Sequence, residues 1–97
     1  MIRHVVAFTF KPETTSEQIG QIATELRGLA KSIPAIKAYA CGPDEGITPG
    51  NAGFAVVADF DDEEGFLTYR DHPQHKEIIA RLIAPVTDQR SAVQFQA

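Results

Sequence analysis

The stretch "IRHVVAFTF", residues 2–10, points directly to the architecture of this chain. It is rich in Val, Ile and Phe, and Pro12 follows closely, so it predicts a β-strand. Its even positions, such as Phe8, and its odd positions, such as Val5, are both largely apolar. Strands that are buried on both faces have this composition. The first strand therefore predicts a sheet that is covered on both sides.

A helix is predicted directly after this strand. Apolar side chains recur at helical spacing within residues 15–33. The segment opens with Thr14 and Thr15, each followed three residues later by Glu17 or Gln18. This spacing is typical of a capping box, in which two side chains bond to the free N–H groups of a helix start.

Two further strands and a loop come next. Residues 35–41 and residues 53–60, "GFAVVADF", predict strands, and the second is apolar at both parities. Residues 42–53 contain four glycines and two prolines, which predicts a loop between them. This loop has no phosphate-binding pattern, because no Gly-Lys-Ser/Thr follows its glycines.

A proline divides the second helical region. Asp61 and Glu64 have capping-box spacing and predict a short helix over about residues 62–70. Pro73 interrupts that helix and favours the start of a second helical segment, residues 73–83. The apolar residues of this second segment also recur at helical spacing, so we expect it to be a single helix.

Residues 88–96 predict a last strand after Pro85. The resulting order, β-α-β-β-α-β, is a ferredoxin-like α+β fold. Residues 1–97 then form a single domain, near the lower end of the usual size range.

In a ferredoxin-like fold both helices lie on one side of the sheet, so the other side needs a cover. A second copy of the chain is the simplest cover, packed sheet to sheet through the face opposite the helices. The alternative is a monomer with an open sheet. We therefore expect a homodimer.

The composition argues against several classes of partner. The chain has 9 basic and 13 acidic residues, a net charge of −4 and no run of Lys or Arg, which argues against a nucleic-acid partner. No apolar run approaches the roughly 18 residues of a membrane span, and the N-terminal segment lacks the features of a signal peptide. The single cysteine, Cys41, fits a reducing compartment. We expect a cytoplasmic protein with no membrane partner.

A cluster of reactive side chains is predicted around "YRDHPQH", residues 69–75. Tyr69 ends one helical segment, and His75 lies on the apolar face in the first turn of the next. If the even positions of the first strand face the helices, His4 points toward both. The three polar groups would then meet at one edge of the core.

Such a trio suits proton abstraction beside a carbonyl group without a cofactor. A neutral His75 would be the base, and the Tyr69 hydroxyl would donate a hydrogen bond to the developing oxyanion. His4 would orient the substrate or relay a proton. We expect the surrounding pocket to be lined by five apolar residues: Phe8, Ile22, Leu26, Phe66 and Ile79.

The same residues have purely structural explanations, which the sequence leaves open. Tyr69 fits an aromatic residue at the edge of the core, and His75 fits a partly buried histidine bonded to a backbone carbonyl. His72 fits the cap of the helix that begins at Pro73. No metal site is predicted, because two histidines three apart across a proline do not form a helical zinc pair. The acidic run "DFDDEE" is typical of a solvated helix start.

Three parts of the chain are similar to those of one protein family. They are "MIRHVVAFTFKPETTSEQ" at the start, "CGPD" in the middle and "YRDHPQH" before the last strand. Together they resemble the stress-responsive A/B barrel family, often called Dabb proteins, over nearly the whole chain. The resemblance implies a dimeric α+β barrel of ferredoxin-like protomers, and many members have no assigned activity.

The resemblance also implies roles for individual residues. One plant member, olivetolic acid cyclase, closes a linear polyketide by an aldol reaction without a cofactor. By position, its strand histidine, helix tyrosine and catalytic base match His4, Tyr69 and His75. A further histidine of that enzyme falls at Phe54, where this sequence departs from it. The motif therefore implies a shared pocket more strongly than a shared reaction.

Three functions are hypotheses at this point. The first is a stress-associated homodimer whose pocket holds a small apolar carbonyl or aromatic compound. The second is a cofactor-independent lyase or polyketide cyclase that uses His75 and Tyr69. The third, a heme-free monooxygenase of the related dimeric barrel type, is disfavoured because the chain has no tryptophan.

Overall fold

The protein is built on a four-stranded antiparallel sheet with helices packed on one side. The computed structural model describes all of residues 1–97. The strands are β1 (Ile2–Phe10), β2 (Ile36–Pro43), β3 (Phe54–Phe60) and β4 (Thr87–Gln96), in the spatial order β2-β3-β1-β4. The helices are α1 (Ser16–Ser32), α2 (Glu63–Asp71) and α3 (Pro73–Ile78). The predicted ferredoxin-like order is confirmed, and no helix is long and apolar enough to cross a membrane.

Strand β1 lies in the middle of the sheet and fixes the core. Its even positions face the helices, and those from Ile2 to Phe8 each stand opposite a buried residue of β3. Phe8 pairs with Phe54, and their rings stack with centroids 5.2 Å apart. The side chains of α1 that complete this core are buried at helical spacing: Ile22, Ala23, Leu26 and Leu29.

The helix caps follow the sequence pattern closely. Thr15 and Gln18 form the capping box of α1, in which the Thr15 N–H donates to the Gln18 side chain at 2.8 Å. The cap of α2 is Asp62, whose carboxylate accepts from the Gly65 N–H at 2.9 Å. The prediction that Asp61 caps this helix was therefore wrong by one residue. The extended backbone of Asp62 is what lets its carboxylate reach that N–H.

The segment predicted as one helix, residues 73–83, is in fact two elements. Helix α3 ends at Ile78, and the next five residues form a π turn (Ile79–Ile83), in which the Ala84 N–H donates to the Ile79 carbonyl. A wider turn changes the direction of the side chains that follow it. Ile78 is buried in the core, whereas Ile79 lies beside open space.

Strand β2 contains a bulge near its start. Its register with β3 shifts between Ile36 and Ala38. As a result, Ile36 and Tyr39 both pack against the core, although they are three residues apart. Simple strand alternation would have put them on opposite faces of the sheet.

The face of the sheet opposite the helices, here called the outer face, has no cover within the chain. At its centre Val5 stands between Val57 of β3 and Val93 of β4. Val93 and Phe95 are 53% and 45% exposed, which is unusual for large apolar side chains in a sheet.

Two charged residues of the outer face, Arg3 and Asp59, are paired with each other. Arg3 donates two hydrogen bonds to the Asp59 carboxylate, at 2.7 and 2.9 Å, across the β1–β3 pair. These bonds hold the pKa of Asp59 below its usual range. Because Arg3 and Asp59 neutralise each other, a partner can cover this face while both charges remain paired.

Candidate functional site

A cavity of about 690 Å³ lies between the sheet and the layer formed by α2, α3 and the π turn. Ten of its 16 lining residues are hydrophobic, and a cavity of this size suits a small organic molecule. The helix-facing sides of β1 and β4 form one wall. The lining residues are His4, Val6, Phe8, Leu26, Val56, Phe66, Tyr69, Arg70, His75, Ile79, Ile83, Ala84, Thr87, Arg90, Ala92 and Gln94.

The structure brings the three predicted polar residues together in this cavity. The ring centroids of Tyr69 and His75 are 4.2 Å apart, and those of His4 and Tyr69 are 6.2 Å apart. Three different elements supply them: β1 for His4, α2 for Tyr69 and α3 for His75. The even parity of β1 and the break at Pro73 are what make them converge.

Four of the five apolar residues expected to line the pocket do so: Phe8, Leu26, Phe66 and Ile79. Ile22 does not, because it is completely buried in the core and has no surface on the cavity. It lies one turn before Leu26 on the same face of α1, and the cavity reaches only the later turn. Phe54, where the resemblance places a histidine, is likewise core rather than cavity.

Other lining residues were missed by sequence reasoning. Arg90 and Gln94 of β4 stand beside Phe8 and His4 of β1, on the same face of the sheet. Their even spacing along the last strand could have predicted that they share one face of the sheet. To place that face against His4 and Phe8, however, the register between β1 and β4 must be known.

His4 is held neutral at the floor of the cavity. Burial is the main cause that lowers its pKa to about 4, and the charges of Arg90 and His75 lower it further. The Gln94 side-chain amide lies 2.7 Å from His4 Nδ1. With the amide nitrogen as donor, Nδ1 accepts and the ring proton lies on Nε2.

His75 has the hydrogen bonding of a base. Its Nδ1 lies 3.0 Å from the Arg70 carbonyl oxygen, which can only accept, so Nδ1 carries the proton. The lone pair is therefore on Nε2. Burial lowers the pKa of His75, and the bond to Arg70 only partly opposes this, so the ring is neutral near pH 7.

His72 has a structural role instead. Its Nδ1 accepts from the Gln74 N–H at 3.1 Å and so caps α3, as the hypothesis of a helix cap required. His72 does not line the cavity.

Tyr69 is almost completely buried, and burial raises the pKa of its hydroxyl. The phenol is therefore a hydrogen-bond donor at neutral pH. The hydroxyl of Tyr39 is also buried and has no hydrogen-bond partner. It lies close enough to Tyr69 to oppose part of this rise in the pKa. No group of three or more His, Cys, Asp or Glu side chains is placed to hold a metal ion.

We expect stability to fall on mild acidification because of these buried histidines. Between pH 6.5, the ordinary pKa of histidine, and the folded pKa of about 4, the unfolded chain binds more protons at His4 than the folded chain. His4 alone should lower the free energy of unfolding by about 1–2 kcal/mol from pH 7 to pH 5. Urea unfolding at several pH values measures this loss. A His4→Gln variant should show a shallower dependence, the remainder coming from His75, and an unchanged slope would contradict the assignment.

Comparison with known proteins places the fold and the family. The family model described as Stress Responsive A/B Barrel Domain matches residues 2–97. A crystal structure of a dimeric ferredoxin-like protein of unknown function from Thermobifida fusca is 46% identical, with a TM-score of 0.92, and the match covers 99% of this chain and 90% of that one. None of the curated proteins searched matches this sequence.

Two more distant structures share the fold. A Dabb family protein from Mesorhizobium loti is 21% identical, with a TM-score of 0.82 over 99% of this chain and 95% of that one. A hydroxynitrile lyase from Passiflora edulis is 22% identical, with a TM-score of 0.82 over 97% of this chain and 90% of that one. These comparisons confirm the ferredoxin-like fold expected from the sequence.

Proposed function

Because this chain belongs to the stress-responsive A/B barrel domain family, we propose that it is a homodimer whose cavity binds a small apolar carbonyl or aromatic compound. The observation that carries the proposal is the cavity itself. Within about 690 Å³, two neutral imidazoles stand among ten hydrophobic lining residues, one of which is Tyr69 with its phenol. Apolar walls with a few converging polar groups suit a ligand that is mostly hydrocarbon with one or two oxygens.

The dimer is proposed to form through the outer face. Its exposed Val93 and Phe95 supply apolar area that a second copy would bury. The Arg3–Asp59 pair is already satisfied within the protomer and adds no unpaired charge. The similar protein from Thermobifida fusca is described as dimeric, which supports a dimer but does not bear on which face forms it.

Binding is tested by thermal shift with benzaldehyde, acetophenone and 2-nonanone as probes. At a concentration of 100 times the dissociation constant, a ligand of the folded state adds about 2.7 kcal/mol of stability. We expect at least one probe to raise the melting temperature, and an Ile79→Trp variant, which fills the cavity, to lose that rise. The control is Ile47→Trp, in an exposed loop outside the cavity. A shift that survives in Ile79→Trp, or no shift with any probe, would contradict the proposal.

One observation favours a second candidate, abstraction of a proton beside a carbonyl. His75 presents an unprotonated Nε2 while Nδ1 is anchored to the Arg70 carbonyl. In this reaction the C–H proton moves to Nε2, and the C–H electron pair delocalises onto the carbonyl oxygen. The Tyr69 hydroxyl, in the ring nearest His75, would donate a hydrogen bond to that oxygen. The Passiflora edulis protein with the same fold is a hydroxynitrile lyase. This similarity is one of fold alone, so it supports the reaction only in that a lyase can have this fold.

Proton abstraction is tested by exchange of the methyl protons of acetophenone in D₂O, followed by NMR. General base catalysis contributes about 10²–10⁴-fold, so His75→Gln should lose exchange by at least about 100-fold. Tyr69→Phe should lose less, since it removes only one hydrogen bond to the enolate. The control is His72→Asn, which keeps a cap of α3 and lies outside the cavity. Equal exchange in the wild type and His75→Gln would eliminate this candidate.

A further inference from the structure

Arg90 is the one arginine of this chain without a partner. Each of the other four donates hydrogen bonds to a named acceptor: Arg3 to Asp59, Arg27 to the Cys41 carbonyl, Arg70 to Asp71, and Arg81 to Glu25 and Glu77. Arg90 makes neither a hydrogen bond nor an ion pair within the protein, although it lines the cavity beside Phe8. Its guanidinium is exposed to solvent, carries five donors and stays charged, so it is free to donate to an acceptor of a ligand in the cavity.

The cavity around Arg90 contains no negative charge. No Asp or Glu is among its lining residues. The other lining arginine, Arg70, is neutralised by two hydrogen bonds to Asp71, at 2.8 and 3.1 Å. His4 and His75 are neutral near pH 7. The lining therefore has one uncompensated positive charge, which favours an anionic ligand.

The positive charge of Arg90 reaches the reactive end of the cavity. It exerts a lowering influence on the pKa of His4, of His75 and of Tyr69, although burial is the main cause of the shift at each of them. Arg90 and these three groups line the same cavity, so a single molecule can contact the guanidinium and these groups at the same time. An anion on Arg90 would also reduce this electrostatic effect on all three.

We propose that Arg90 binds a carboxylate of the ligand, so that the compound held in the cavity is an apolar oxo-carboxylic acid. Its hydrocarbon part lies along Phe8 and Ile79, and its carbonyl group faces Tyr69 and His75. A carboxylate matches the planar fork of one guanidinium, with two parallel hydrogen bonds. A phosphate ester is a poorer match, because its second charge finds no further cation among these lining residues. The proposal rests on the proposed binding function and specifies its ligand class.

A matched pair of probes tests this, 4-oxo-4-phenylbutanoate and its carboxamide. The two have nearly the same shape and differ in charge. We expect the wild-type protein to bind the acid at least tenfold more tightly than the amide, measured by calorimetry at pH 8 and low salt. In Arg90→Met the acid should lose that tenfold advantage while binding of the amide stays the same. Added salt should narrow the wild-type preference, because it screens the charge.

The control variant is Arg27→Met, which removes an arginine outside the cavity. It should keep the preference for the acid. Equal binding of acid and amide by the wild type would overturn the carboxylate proposal while leaving the binding function intact. Failure of both probes and of the neutral carbonyl compounds above would overturn both. If Arg90→Met changes the sedimentation coefficient instead, Arg90 serves the dimer interface and the proposal is wrong.

Discussion

A Val5→Asp substitution is expected to convert the proposed dimer into a folded monomer. Val5 lies at the centre of the outer face, between Val57 and Val93. In an isologous dimer the new carboxylate appears twice in the same interface, so its cost counts twice. An uncompensated buried charge costs about 3–5 kcal/mol, which corresponds to well over a 100-fold weaker dimer.

Sedimentation velocity over a range of micromolar concentrations measures this change. The control is Gln21→Asp, which places a carboxylate at an exposed position of α1, on the helix side of the sheet. It should leave the assembly unchanged. Near-ultraviolet circular dichroism verifies that Val5→Asp still folds, because the helix-facing core does not include Val5. A Val5→Asp protein that stays dimeric would rule out the outer face as the interface.

A Phe60→Ala substitution is expected to lower the free energy of unfolding by about 3–5 kcal/mol. Phe60 is completely buried at the end of β3, where its ring contacts Phe66 and Tyr69 at centroid distances of 5.7 and 5.3 Å. Small domains have a total stability of only about 5–15 kcal/mol, so the loss is a large fraction of it. The resulting void lies directly behind Tyr69, so ligand binding should weaken as well.

Urea unfolding at pH 7 measures the stability change. Phe60→Leu retains most of the volume and should cost clearly less than the alanine variant. Ile47→Ala, at an exposed position, should change stability by no more than about 0.5 kcal/mol. A loss below 1 kcal/mol in Phe60→Ala would mean that the ring is not part of a tightly packed core.

Local patterns in the sequence were enough for the fold. The apolar residues of β1 at both parities indicated a sheet that needs two covers, and the threonine–glutamine spacing indicated the start of α1. Such signals depend on neighbours within a few residues. The bulge in β2 and the π turn after α3 carry no such signal. The bulge lets Ile36 and Tyr39 both pack against the core, which regular strand geometry would not allow, and the π turn redirects the side chains that follow Ile78.

The candidate site was predictable where it depends on one strand and one helix break. His4, Tyr69 and His75 converge because strand parity and the proline at residue 73 fix their directions. Arg90 and Gln94 were missed because their position depends on the register between the first and last strands. Ile22 was wrongly placed in the lining, since helical spacing identifies a face but not how far along that face a cavity extends.

The π turn also makes the binding space sensitive to chain length. Five residues, Ile79–Ile83, span a turn that a regular α-helix would complete with about one fewer. Deleting Ala80 would let the helix wind uniformly and would swing Ile83 away from the void that it now borders. The loss of a single residue at this point would thus alter the size of the binding space while the sheet beneath stays the same.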